Sequence, residues 1–164
     1  MGILNPDFNV SVSPDPSGPT PSDIDLFVTL RHFDPSGEEV FYTGTAGDPV
    51  PLTKGWLRVS LRKVDSEHSK HREWLPHRNC TSKDVQPVIQ GEVYAVDIEV
   101  WPTNVIVDKG GKLVFEVSSG DTQGSGIFLH NDPIDRSPEV FQGSNHIHFG
   151  PRQQNYITLP VIPN

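Results

Sequence analysis

The chain has 164 residues, a net charge of −8, 16 prolines, 14 glycines and a single cysteine. That length accommodates one domain with one core, and acidic residues scattered along it disfavour nucleic acid or an anionic membrane as partner, because phosphate contacts need clustered Lys and Arg. Cys80 alone excludes an internal disulfide and fits a reducing, cytoplasmic compartment, and neither a secretory leader nor an apolar run of membrane-spanning length is visible. Met1-Gly2 does not make a myristoylation signal, since Pro6 stands where that motif needs Ser or Thr.

High proline and glycine usage without long helical periodicity predicts an all-β protein. Residues 1–22 read as an N-terminal segment, with a frayed edge strand at Phe8, Val10 and Val12 and then a Pro-rich loop. The remaining residues, 23–164, form the sandwich domain. Ile24, Leu26, Val28 and Leu30 alternate with Asp23, Asp25, Phe27, Thr29 and Arg31, the period of a half-buried strand. Asp34-Pro-Ser-Gly37 is a turn that returns the chain as a hairpin partner over Glu39–Tyr42.

Leu57, Val59 and Leu61 predict a second half-buried strand over Trp56–Val64. Asp65–Gln86 is a long polar loop carrying His68, His71, Trp74, His77 and Cys80, a length that usually signals function or disorder. Tyr94, Val96, Ile98 and Val100 face one side of the next strand, and the turn Asp108-Lys-Gly-Gly111 suggests a hairpin joining Val105–Val107 to Leu113–Val117. A second long, Gly-rich loop over residues 118–140 precedes two last strands at Asn145–Phe149 and Tyr156–Ile162. About eight short strands with long crossovers predict a jelly-roll or Greek-key β-sandwich with two long loops, because each half-apolar sheet must bury its face against another.

Three blocks in order, GWLRVSLRKVD (55–65), GEVYAVDIEVWPTNVIVDKGGKL (91–113) and the terminal LPVIP, carry a resemblance. They resemble the C-terminal, galactose-binding-like jelly-roll domain of the serine hydrolases related to cocaine esterase and X-prolyl dipeptidyl aminopeptidase, over roughly residues 22–163. The resemblance implies that nucleophile, acid and base lie on an α/β-hydrolase domain N-terminal to the jelly roll, which these residues do not contain. It also implies that the first strands of the domain are shortened before Phe8, leaving a sheet edge open to a ligand or to a second copy in a homodimer.

Several constellations are candidates for chemistry. Gly120-Asp-Thr-Gln-Gly124 superficially matches a nucleophile elbow with Thr122, but it lacks the strand and helix an elbow requires and reads as a glycine-rich turn. His146 and His148 project from one strand face; without a third ligand they do not make a metal site, and His148 also fits a structural imidazole between sheets. His71, Trp74 and His77 would share a face if their loop holds a helical turn; otherwise Trp74 caps the core. Asp23 and Asp25 suit pairing with Arg58 and Arg62 better than calcium. Asp121, His130, Asn131 and Asp132 gather in the second loop, where a paired Asp and His move a proton or orient a carbonyl.

These observations lead to three expectations. The chain is a stand-alone pocket for an apolar small molecule, self-contained from Met1, that works without cofactor or metal as a cyclase or isomerase, with His148, Asp121 and His130 catalytic and Trp74, His71, His77, Asn131 and His146 binding. Confinement and orientation alone suffice for such ring closures, including pericyclic ones in natural-product pathways. Alternatively it is the non-catalytic accessory domain of a serine hydrolase, or a carrier of an apolar ligand. A self-contained serine hydrolase is excluded.

Overall fold

The computed structural model describes residues 2–124, 126–127 and 129–162. Among them the chain folds as an antiparallel all-β sandwich with eleven strands. The centre of one layer is β2 (Asp25–Phe33), flanked by β6 (Thr53–Arg58) and β9 (Lys112–Ser118), with the short β3 (Glu39–Val40) prolonging the β6 side. Strand β6 meets β8 (Val100–Thr103) at the single pair Gly55 and Val100, and β8 joins the start of β1 (Gly2–Ser13). The rest of β1 belongs to the second layer, between β7 (Tyr94–Asp97) on one flank and β10 (Ser144–Ile147) and β11 (Tyr156–Thr158) on the other. A small separate ribbon pairs β4 (Tyr42–Thr43) with β5 (Pro49–Val50).

The alternation of β2 explains the core. Leu26, Val28 and Leu30 lie opposite Leu57, Val117 and Phe115 on the neighbouring strands, and all these side chains face inward with Val59 and Ile24. From the second layer come Phe8, Val10, Val12, Val96 and Ile98. The stacked rings of Phe8 and Phe115, 5.8 Å apart, join the two layers. Burying such side chains is worth about 1.5–3 kcal/mol each, which is what holds the layers face to face.

Four expectations are corrected. The N-terminal segment is not a frayed edge: β1 is paired on both flanks and buries Val10 and Val12 fully, so the sheet edge proposed for a second copy is not located there. Its polar and proline-rich composition disguises a strand whose three alternating apolar residues suffice for the core. The strand from Trp56 ends at Arg58, and Val59–Leu61 form a 3-10 turn instead, closed by the Arg62 N–H donating to the Val59 carbonyl. The turn at Asp108–Gly111 forms, yet β9 pairs with β2 rather than with the segment before it. Finally, β2 is buried on both faces, not one. Its outer face is covered by the second long loop, which ends in a single helical turn, α1 (Pro138–Phe141). Among the described residues no helix is long and apolar enough to cross a membrane.

Candidate functional site

The outward residues of β2 and β6 are Asp25 and Phe27 beside Arg58 and Trp56, and the second loop closes over them. Asp25 is buried with two guanidinium partners. Arg58 donates to it through Nε at 2.9 Å and Nη2 at 3.0 Å, and Arg136 donates through Nε at 3.0 Å. A carboxylate out of water is tolerable only when paired in this way. Both guanidinium groups also lie against rings, Arg58 over Phe141 at 4.8 Å and Arg136 over Phe27 at 5.1 Å. The opposite edge of Arg58 forks onto Asp135, with Nη1 and Nη2 each 2.8 Å from a carboxylate oxygen. Hydrogen bonds to Asp25 and then Asp135 raise the Arg58 pKa, and the Arg58 bond lowers that of Asp135.

His130 sits beside this cluster. Its backbone N–H donates to Asp121 Oδ2 at 2.5 Å and its Nδ1 lies 3.1 Å from Asp121 Oδ1, so the ring nitrogen facing Asp121 carries the proton, a carboxylate being acceptor only. The ring packs against Trp56 at 4.7 Å and edge-on to Phe27 at 5.2 Å, and the His130 carbonyl accepts from Arg136 Nη1 at 2.9 Å. A cleft of about 180 Å³ opens here, bounded by Trp56, Leu57, Arg58, His130, Asp135 and Arg136. Its described lining carries no Ser, Thr or Cys. A second cleft of about 200 Å³, mostly apolar, lies between Trp101, Pro51, Leu52 and Ile127. Trp56 and Trp101, 5.2 Å apart, link the two clefts.

The other predicted site residues are distributed elsewhere. His148 and His146 do share a face, but each Nε2 is 2.7 Å from a serine hydroxyl of β1, Ser11 and Ser13 respectively, in the second layer. The bond of His148 is therefore within one sheet rather than between sheets, and it does not join Asp121 and His130. The first long loop holds no helix, so His71, Trp74 and His77 do not line up: Trp74 is 53% exposed and caps no core, while His77 stacks on His68 at 3.7 Å and its N–H donates to His71 Nδ1 at 3.4 Å. Arg78 ties this loop to Asp97 of β7. Asn131 is exposed next to His130. Thr122 accepts from Arg31 Nη2 at 3.2 Å, between a bend at Ser119–Gly120 and a turn at Gln123–Gly124. Arg62 donates to the carbonyls of Val59 and Gln86 instead of pairing with Asp23 or Asp25. Among the described residues no group of three or more His, Cys, Asp or Glu side chains is arranged to hold a metal.

The sequence reading passed over Phe27, Trp56, Asp135 and Arg136. The available signal was the outward register of Phe27 and Trp56, since two aromatics on a face expected to meet water call for a cover.

Comparison with known proteins gives a consistent result. Residues 1–158 match the X-Pro dipeptidyl-peptidase C-terminal non-catalytic domain. Two curated mycobacterial proteins provisionally named serine esterases, one from Mycobacterium bovis and one from Mycobacterium tuberculosis, are each 26% identical over 143 residues, which is 87% of this chain. The chain spans about a fifth of the length of these relatives, 20% of each. A CocE/NonD family hydrolase from Staphylococcus aureus has the same fold in two crystal structures. One superposes with a TM-score of 0.76 at 24% identity over 96% of this chain and 27% of its own. The other gives 0.64 at 26% identity over 80% of this chain and 23% of its own. The chain belongs to the family of the X-Pro dipeptidyl-peptidase C-terminal non-catalytic domain.

Proposed function

We propose that this β-sandwich works as the non-catalytic partner of an α/β-hydrolase domain of the serine esterase type, packing against it and shaping access to its active site. The observation that carries this reading is the family match over nearly the whole chain, together with relatives named as esterases or hydrolases of which the chain accounts for about a quarter or less. The surface is in keeping with it. Trp101 and Ile127 are half or more exposed while lining one cleft, and Leu129 and Ile134 add exposed apolar area on the same loop as Ile127. The cofactor-independent cyclisation or isomerisation that a lone pocket suggests finds no support among the relatives, whose names are those of hydrolases. Carriage of an apolar ligand likewise has none.

The test has two arms. The purified chain is treated with a serine-reactive phosphonate and with short p-nitrophenyl esters; neither adduct nor turnover above background is expected, and a stoichiometric adduct on this chain overturns the reading. The chain is then expressed with an affinity tag in its own host, phosphonate-labelled proteins are recovered with it, and the labelled species is sequenced. A labelled α/β-hydrolase, whether joined to this chain or separate, supports the proposal. Its absence, with a measurable conversion of a small molecule to an isomer of equal mass, supports the cyclase instead.

A further inference from the structure

The cleft between Arg58 and His130 has the construction of an anion receptor whose anion is supplied from within. The inner edge of the Arg58 guanidinium is fixed on the buried Asp25, which Arg136 also neutralises, and its flat face rests against Phe141. The group is thus held in one orientation before any ligand arrives, with its outer Nη1–Nη2 fork directed to the cleft. A planar fork matches a carboxylate bidentately, with both geometry and charge in register. Asp135 occupies that fork, but its side chain is 60% exposed, against 8% for Asp25.

Asp135 is also carried by a self-contained turn. Asp132 Oδ1 accepts from the Ile134 N–H at 2.8 Å, and the Asp132 carbonyl accepts from the Arg136 N–H at 2.9 Å. The turn needs nothing from the Asp135 carboxylate. On the other side of the cleft His130 is oriented through Nδ1 by Asp121, leaving Nε2 as the ring nitrogen that Asp121 does not engage. Trp56 and Leu61 complete an apolar wall suited to the body of an organic acid.

We propose that this cleft binds a small carboxylic acid with an apolar or aromatic body, its carboxylate taking the Arg58 fork from Asp135 and its body lying against Trp56. The reading is independent of the docking role proposed above. A group that must be displaced lowers apparent affinity by the fraction of time the site is open. Removing it strengthens binding by the worth of one exposed ion pair, about fivefold.

The experiment is an NMR titration of this chain with 3-phenylpropionate, following the His130 imidazole C–H and the Trp56 indole N–H, with 3-phenylpropionamide as the uncharged control. Asp135→Ala is the informative variant, because Asp135 is exposed and its loss threatens no core. We expect saturable shifts at both groups, dissociation constants in the range of about 1 mM, an affinity gain of about fivefold in Asp135→Ala, and no comparable response to the amide. Arg58→Lys keeps a charge for Asp25 but loses the fork, and weakens binding; should it fail to fold, Asp135→Ala decides alone. Three results overturn the proposal: equal shifts from the amide, no gain in Asp135→Ala, or no shift at either group in that variant up to about 10 mM, ten times the expected constant.

Discussion

Gly55→Ala is the substitution that most directly probes how the sandwich is joined. Gly55 lies in the middle of β6, where a Cβ would stand 2.1 Å from the Glu99 carbonyl oxygen and 2.9 Å from the Val100 Cα. Both obstacles are backbone, so no rotamer change relieves them, and β6 and β8 must separate by more than an ångström to restore ordinary contact at about 3.5 Å. The location makes that separation costly. Gly55 and Val100 are the one register pair between β6 and β8, and through β8 the β2 layer continues into β1. Overpacking in a tight core costs about 1–3 kcal/mol, and the loss of the pairing at this seam sets the expectation at the upper end, about 3 kcal/mol. For a domain of this size that corresponds to a fall in Tm of about 6–12 °C. The control is Gly37→Ala, at φ 94° with no atom within 4 Å of the new Cβ. It tests only backbone strain, worth about 1 kcal/mol. Urea unfolding of both variants at one pH gives the comparison. If Gly55→Ala costs no more than Gly37→Ala, the close approach at the seam is not what couples the layers, and the argument fails.

Other consequences follow from single side chains. Ile98→Ala empties a fully buried position between β7 and β8 and is expected to cost about 3 kcal/mol in urea unfolding, as large-to-small core changes do. Ser11→Ala removes the partner of His148 Nε2; a loss of about 1 kcal/mol and a shifted His148 resonance are expected, with the His146 resonance unchanged. Two carboxylates make opposite contributions to acid stability. The Arg31 hydrogen bond holds the Glu116 pKa below its ordinary value of 4.5, so its contribution is present above pH 4.5 and is lost as pH falls through the folded value. Burial raises the Asp23 pKa above 3.8 despite hydrogen bonds from Ser60 and Ile24, so its ionisation opposes folding and protonation relieves the cost. Glu116→Gln should therefore flatten the acid decline in stability, and Asp23→Asn should steepen it while leaving the protein no less stable at pH 7; the reverse pattern in thermal melts from pH 3 to pH 7 would show that these two groups do not set the profile.

The parts of the fold governed by local alternation were legible. Leu26, Val28 and Leu30 announce the inner face of β2, and Val96, Ile98 and Val100 the inner line of the strands that face it. The parts governed by distant partners were not. Strand β9 has a glycine turn before it that imitates a hairpin, yet Leu113, Phe115 and Val117 reach the core only by lying beside β2, some eighty residues earlier in the chain. Strand β1 shows its alternation at Phe8, Val10 and Val12 but reads as an edge, because Pro6, Asp7 and Asn9 weaken the local strand signal while pairing on both flanks overrides them. At the site, Asp121 and His130 were recognisable as neighbours in one loop. Their union with Arg58, Trp56 and Arg136 depends on the loop crossing the outer face of β2, which no spacing encodes.

That crossing also accounts for why an Asp–His pair stands on a domain of a non-catalytic family. Asp121 uses both carboxylate oxygens on His130, one for the backbone and one for the ring, and Arg136 takes the His130 carbonyl and the Ser119 carbonyl while gripping Asp25. Each bond ties the loop to itself or to β2. Phe27 and Trp56 then lie under His130 instead of facing water, so the loop serves as a partial third layer over a strand that is apolar or charged on both faces. A pair serving catalysis would hold its imidazole toward a hydroxyl or thiol, with hydrogen-bond donors arranged for a developing oxyanion. Here the imidazole packs against an indole and a phenyl ring. The same bracing fixes Arg58 and His130 at the rim of one cleft, which is the rigidity the proposed carboxylate receptor needs.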